Sequence, residues 1–212
     1  YISKSHLITT VKEIAADYPK IRVGAICADF SDALSWPKGA NADRDQRLAF
    51  FPGSTIGNQT PEEARQFLER VRHLVGARGN LLIGVDLKKD TDVLNKTYND
   101  VAGYTADFNL NLLHRIKAEL GGKLDISTFE HNAFYNEDLG RIEMHLISRL
   151  DQSIEIGGQQ FNFRKGESIH TENSYKYSID EFLELAGCAG FGSVKTWTDA
   201  DNYFSIHYLA AK

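Results

Sequence analysis

The stretch Leu48-Ala-Phe-Phe-Pro-Gly-Ser-Thr-Ile-Gly-Asn-Gln-Thr-Pro-Glu-Glu63 decides how this chain is read. An apolar run, Leu48 to Phe51, breaks off in Pro52-Gly53-Ser54-Thr55, and Thr60-Pro61-Glu62-Glu63 opens a helix. Proline suits a first helical turn, and the two carboxylates favour the positive end of the helix dipole. The pattern predicts a buried strand that hands a loop of small and polar residues to a helix N-terminus. Open α/β sheets bind ligands just beyond the carboxyl ends of their strands. Gly53 and Gly57 would let backbone approach a ligand, and Asn58 offers both a donor and an acceptor.

Toward the N-terminus, Leu7, Ile8, Val11, Ile14 and Ala15 recur at helical spacing between Ser3 and Tyr18, and Pro19 ends that helix. Ile21 to Phe30 alternates and then becomes mostly apolar. This predicts a buried strand with Cys27 inside it and Asp29-Phe30 at its end. Ser31 to Gln46, with Pro37, Gly39 and several charges, reads as a surface loop. Toward the C-terminus, the helix from Thr60 runs to Val75 and stops at Gly76, and Asn80 to Leu87 is another apolar strand. Strand, helix, strand, helix, strand is the rhythm of a parallel sheet with covering helices.

From Asp90 the pattern changes. Asp90 to Leu120 is mostly helical, with a break near Gly103. Phe129 to Ile156 holds extended stretches such as Arg141 to Ile147. Gly157-Gly158 is a hairpin signal ahead of Gln160 to Arg164. A helix over Ser178 to Ala186 precedes a closing antiparallel pair, Phe191 to Trp197 and Tyr203 to Leu209. The expected organisation is a sheet domain, residues 1–88 and 177–212, interrupted by a helix-plus-hairpin insertion at residues 89–176.

Several function classes drop out. With a formal net charge of -5 and no basic stripe, the chain lacks the footprint of a nucleic-acid binder. No apolar run approaches the 18 or so residues of a membrane span, and no signal-peptide pattern is visible. Cys27 and Cys188 have neither metal spacing nor a disulfide framework, which suits a reducing, cytoplasmic setting. The seven His residues show no metal-ligand spacing. No G-x-S-x-G elbow marks Ser54 as a hydrolase nucleophile. Gly187-Cys-Ala-Gly-Phe-Gly192 follows a helix instead of opening one, so it reads as a helix C-cap and not a phosphate loop.

Among the candidates that remain, Asp29 could accept hydrogen bonds from a ligand amine beside the Phe30 ring; a turn cap followed by a core Phe is the commoner use of that pair. Glu172 and Ser174, two apart in a dense polar segment, would face one side of an extended chain and could read a polar ring together; a solvated loop is the other reading. Tyr98, Phe108 and Asn109 fall on helices of the insertion, where core or surface roles are usual. Met144, the chain's one Met, would by default fill a gap in a core.

Taken together, FFPGSTIGN (50–58), TPEEA (60–64), LLIGVDLKKD (81–90), YND (98–100), FNLNLL (108–113), RIEMHL (141–146) and GESIHTENSYKY (166–177) resemble the histidine-specific Nα-methyltransferases of ergothioneine biosynthesis. The resemblance covers nearly the whole chain. It implies a Rossmann-like class I methyltransferase sheet with an inserted α+β substrate-binding domain. It also implies S-adenosylmethionine as cofactor, and a monomer that trimethylates histidine to hercynine. By position, Asp29 and Phe30 would contact the adenine, and Gly53 would lie beside cofactor and substrate. Asn58 and Tyr98 would hold the substrate carboxylate, Glu172 and Ser174 the imidazole, while Phe108 and Met144 would shape the pocket. The family's glycine-rich cofactor loop, and an N-terminal part of its substrate domain with an amine-facing Tyr, fall outside these residues. Tyr1 takes the place of its ribose-binding Asp. The chain is therefore expected to be a C-terminal part of such an enzyme, binding S-adenosylmethionine weakly or not at all alone. Two alternatives stand beside this: an N-methyltransferase for a tryptophan-like amine, and a non-catalytic fragment or pseudoenzyme.

Overall fold

The computed structural model describes residues 3–29 and 47–212. Helix α1 (Lys4–Asp17) begins at Ser3, whose hydroxyl accepts the His6 N–H. After it, residues 21–29 form no strand and are mostly exposed, Cys27 among them. The expected buried strand over Ile21 to Phe30 is thus overturned for residues 21–29. An apolar segment becomes a strand only where a ladder accepts its backbone, and among the described residues none does. Phe30, the predicted loop Ser31 to Gln46, and Tyr1 lie outside the described residues.

Strand β1 (Leu48–Phe51) pairs in parallel with β2 (Asn80–Asp86). Between them, α2 (Pro61–Val75) is capped by Thr60 in a reciprocal box with Glu63 and ends at Gly76, which has a φ of 82°. The sheet has the order β1-β2-β9-β8, with β9 (Phe204–Ala211) antiparallel to both β2 and β8 (Phe191–Thr198). The sheet is therefore mixed. Its core gathers Leu81, Ile83 and Val85 of β2, Leu209 of β9, Phe67 and Leu68 of α2, and Phe182 of α5 (Ile179–Cys188). Contrary to the buried strand expected, β1 is half exposed: it forms an edge among the described residues, and Phe50 keeps 67% of its surface.

Between β2 and α5 the chain builds a second sheet. Helices α3 (Thr91–Tyr98) and α4 (Tyr104–Glu119), separated at Gly103 with a φ of 78°, lie against strands β3 (Phe129–Asn136) and β4 (Arg141–Ser148). Strand β7 (Ser168–Tyr175) completes the antiparallel order β3-β4-β7. The polar segment 168–175 is thus a strand and not a loop. Strands β5 (Gln152–Ile156) and β6 (Gln159–Phe163) form a separate hairpin. Its turn residues Gly157 and Gly158 both have positive φ, the geometry a tight two-residue turn demands. Two further apolar clusters hold this part together, one around Leu113, Phe129 and Leu146, the other around Leu94, Ile142 and Met144.

The two sheets meet where the chain leaves and re-enters. Leu87 forms a parallel bridge with Tyr177, and the Tyr177 N–H reaches the Asp86 carbonyl at 3.3 Å. That crossing brings the carboxyl end of β2 beside the carboxyl end of β7.

Candidate functional site

The loop after β1 is held from three sides. Ser54 adopts a left-handed backbone (φ 54°), and its hydroxyl accepts the Asp86 N–H at 2.8 Å, tying the loop to the end of β2. Ile56 is fully buried. Gly57 passes so close to β7 that a Cβ would stand 2.8 Å from the Tyr175 carbonyl oxygen. This glycine serves contact between two segments of chain, not the ligand approach expected of it. Gly53 is open: a Cβ there would meet only the Thr55 hydroxyl, at 3.8 Å. The 3₁₀ turn Thr55–Asn58 then leaves Asn58 exposed, with no side-chain partner among the described residues.

Two cavities adjoin at Asn58. One, of about 380 Å³, is lined by Gly53, Asn58, Asp86, Tyr98, Ser174 and Lys176, together with Ser54, Thr55 and Phe204. The other, of about 250 Å³, is lined by Asn58, Glu172, Asn173, Thr171 and His170. Four of the residues singled out in the sequence (Gly53, Asn58, Tyr98 and Ser174) therefore share one cavity. A fifth, Glu172, shares the neighbouring cavity with Asn58. The register explains Glu172 and Ser174: they stand opposite Met144 and Ile142 of β4, two residues apart on the same face of β7.

Beneath the first cavity lies a polar network that the sequence reading missed. Lys176 is buried, and its ammonium donates to Tyr98 Oη (2.9 Å) and Ser174 Oγ (2.7 Å) while pairing with Asp86 Oδ2 (2.7 Å). Two of its three donors thus serve the hydroxyls, and its charge is paired with the carboxylate. Tyr98 also donates to Ser174 Oγ at 2.9 Å. The other Asp86 oxygen is met by Lys89 at 2.6 Å, so one carboxylate lies between two ammonium groups. Glu172 is half-buried, and no side chain among the described residues hydrogen-bonds its carboxylate. Burial pushes its pKa above the ordinary carboxylate value, while the Lys176 charge pulls less strongly the other way. Two signals pointed to these residues. Asp86 ends an apolar strand, and Lys176 continues the alternation Glu172, Ser174, Lys176.

The remaining candidates fall elsewhere. Met144 is buried with Leu94, Ala133 and Ile142, in the gap-filling role the residue type suggests, and lines neither cavity. Phe108 is exposed on α4 and lines neither; its neighbour Asn109 is buried, bonded to the His145 carbonyl and the Thr171 hydroxyl. Asp29 is exposed on a segment without regular structure. Tertiary contact also gathers Glu143, His145 and His170, whose ligand-type atoms lie within 4.8 Å of one another, although their sequence spacing gave no hint of it. Glu143 is already held by Arg141 and Asn136. The two imidazoles stack at 4.6 Å with 15° between planes, so their in-plane lone pairs do not converge on one point.

Comparison with known proteins bears on this site. The model of a family described as histidine-specific, SAM-dependent methyltransferase matches residues 1–211. A histidine N-alpha-methyltransferase of Mycolicibacterium smegmatis is 37% identical over 195 residues, covering 91% of this chain and 60% of that protein. A histidine N-alpha-methyltransferase of Mycobacterium tuberculosis is 35% identical, covering 100% of this chain and 65% of that protein. The chain thus spans less than two thirds of either relative. Among solved structures, the CcbJ methyltransferase of Streptomyces caelestis superposes with a TM-score of 0.53 at 14% identity, covering 100% of this chain and 78% of that one. That likeness supports an α/β class I methyltransferase fold.

Proposed function

Since the chain belongs to the histidine-specific, S-adenosylmethionine-dependent methyltransferase family, we propose that the protein carrying it methylates the α-amine of L-histidine, three times, to give hercynine. The observation that carries this reading is that Asn58 and Glu172 line a single cavity, adjoining the one formed by Gly53, Tyr98 and Ser174. A zwitterion with an imidazole at one end needs this spread of groups. Asn58 and Tyr98 bind its carboxylate, and Glu172 with Ser174 takes the ring. In the same reading, residues 89–176 are the substrate-binding insertion and residues 1–88 with 177–212 form the sheet that carries the donor. The separate apolar clusters of the two parts, and the crossing at Leu87 and Tyr177, support that division.

S-adenosylmethionine supplies a methyl group on a sulfonium centre. Of the residues assigned to it, Gly53 fits: its backbone is exposed beyond the end of β1 with room where a side chain would be. The chain's own task is placement and exclusion of water. Gripping both ends of the substrate leaves the amine lone pair directed at the methyl carbon. When bound, the donor would supply each methyl with its C–S bond breaking as the C–N bond forms, the electron pair of the broken bond going to sulfur. One proton leaves the nitrogen before each of the three transfers, the first from the zwitterion's ammonium group, which has no lone pair. No residue need hold the amine hydrogens, which vanish as methylation proceeds. Met144 bears on the pocket through the packing of β4, where it stands opposite Glu172, whereas Phe108 is exposed on α4.

Incubating the natural-length protein with L-histidine and S-adenosylmethionine is expected to add three methyl groups by mass spectrometry. Glu172→Ala is expected to lower kcat/KM for histidine about ten- to hundredfold, the cost of a lost charged hydrogen bond. Unchanged histidine kinetics in that variant, or methylation of indole amines in place of histidine, would refute the substrate assignment.

A further inference from the structure

We propose that Lys176 is a positioning residue that fixes the protonation state of the ring the site accepts, by making Ser174 a hydrogen-bond donor to it. The inference rests on the histidine reading above. Lys176 is buried and engaged by its neighbours: it donates to Tyr98 Oη and Ser174 Oγ and is ion-paired with Asp86 Oδ2. It acts through its neighbours. Because it donates to both hydroxyl oxygens, each hydroxyl must send its own proton elsewhere. Without ligand, Tyr98 sends its proton to Ser174 Oγ, which then accepts twice. With a carboxylate bound, the Tyr98 proton turns to that group, and Ser174 still accepts from Lys176. The Ser174 proton therefore points toward the ring, and the ring atom opposite it must carry a lone pair. Glu172 offers only acceptors, so the ring must present an N–H there. The two demands together describe one tautomer of neutral imidazole and exclude imidazolium, which has no lone pair.

The charge balance strengthens this. Left to itself, the Glu172 carboxylate would favour an imidazolium. Against it stand Lys176 and Lys89, with Asp86 between them, leaving one net positive charge beside Ser174. Tyr98 faces Lys176 from α3 and accepts from it at its hydroxyl oxygen. His170 shares the cavity of Glu172, its Nε2 lying 3.1 Å from the Glu172 carbonyl oxygen, and on the far side of Lys176 a separate cavity is bordered by Arg65, the paired Lys88 and Glu181, Glu137, Asp138, Glu184 and Tyr177.

The test is the affinity for L-histidine against pH, by titration calorimetry on the natural-length protein with S-adenosylhomocysteine present. With neutral imidazole as the bound form, Kd is expected to be about tenfold weaker at pH 5.5 than at pH 7.5, from a ring pKa near ~6.5. In Lys176→Met the ring–Glu172 pair gains freedom to hold an extra proton. Its Kd is expected to be level between those pH values, or tighter at pH 5.5. Lys176→Arg, which keeps charge and donors, is expected to restore the wild-type slope, which a purely structural role would not predict. Should Lys176→Met fail to fold, Asp86→Asn with Lys89→Met and Lys176→Met removes all three charges of the cluster together and is expected to flatten the slope likewise. A wild-type slope in the Met variants, or a flat wild-type profile, would overturn the inference while leaving the histidine reading intact. No histidine binding by the wild type at any pH would overturn both.

Discussion

Single residues carry the site through placements that are steric as much as chemical. Gly57 is the clearest case, since any side chain there collides with the Tyr175 carbonyl oxygen, part of the β7 backbone, which cannot swing aside. Gly57→Ala should therefore push the turn bearing Asn58 away from β7. A rise of about tenfold in KM for histidine is expected, with a stability loss within the roughly 1–3 kcal/mol typical of overpacking. Steady-state kinetics and urea unfolding would check the two parts separately. The pair Glu172 and Ser174 was legible in the chain because an extended segment puts residues two apart on one face. The places of Met144 and Phe108 were not: a resemblance transfers a position, but whether it ends in a cavity, a core or at the surface depends on what packs over it.

Among elements, those with strong local signals formed where expected. Helix α2 has a proline at its start, two acidic residues in its first turn, and a reciprocal cap in which Glu63 N–H donates to Thr60 Oγ1 and Thr60 N–H donates to Glu63 Oε2. Thr60→Ala removes one half of that cap and is expected to cost about 1 kcal/mol, read as a lower urea midpoint with an unchanged m-value. Helix α5 repeats the device with Ser178 and Glu181. Residues 21–29 show the opposite case. Their apolar alternation is a local signal for a strand, yet a strand exists only within a ladder, and among the described residues they join none. Strand β7 is the converse: a polar segment that becomes a strand because β4 offers it a ladder.

At the scale of the whole molecule, one buried histidine ties stability to pH. His207 of β9 is fully buried, with its ring nitrogens against the Thr196 and Ser205 hydroxyls. Burial lowers its pKa from 6.5 to about 4. In the unfolded chain the ring protonates below about 6.5, whereas the folded protein holds it neutral down to about 4. Between those values the unfolded state binds more protons, so stability falls as pH drops through that window, by about 3 kcal/mol from this group. His207→Gln removes that titration. Its unfolding free energy, followed by denaturant melts from pH 7 to pH 4, is expected to fall less steeply than the wild type's by roughly that amount, whatever the substitution costs at pH 7.

Most helices and strands, their caps and turns, and the alternation that pairs Glu172 with Ser174 were written into the chain, because each depends on neighbours a few residues apart. The burial of Lys176 between Asp86, Tyr98 and Ser174, and the separation of Met144 from the cavities, came only with folding. The first arises where Leu87 meets Tyr177 and joins segments some 90 positions apart; the second comes from the cluster Met144 forms with Leu94, Ala133 and Ile142. No periodicity or propensity encodes a hydrogen bond across such a distance. It exists only once two sheets have set their ends side by side.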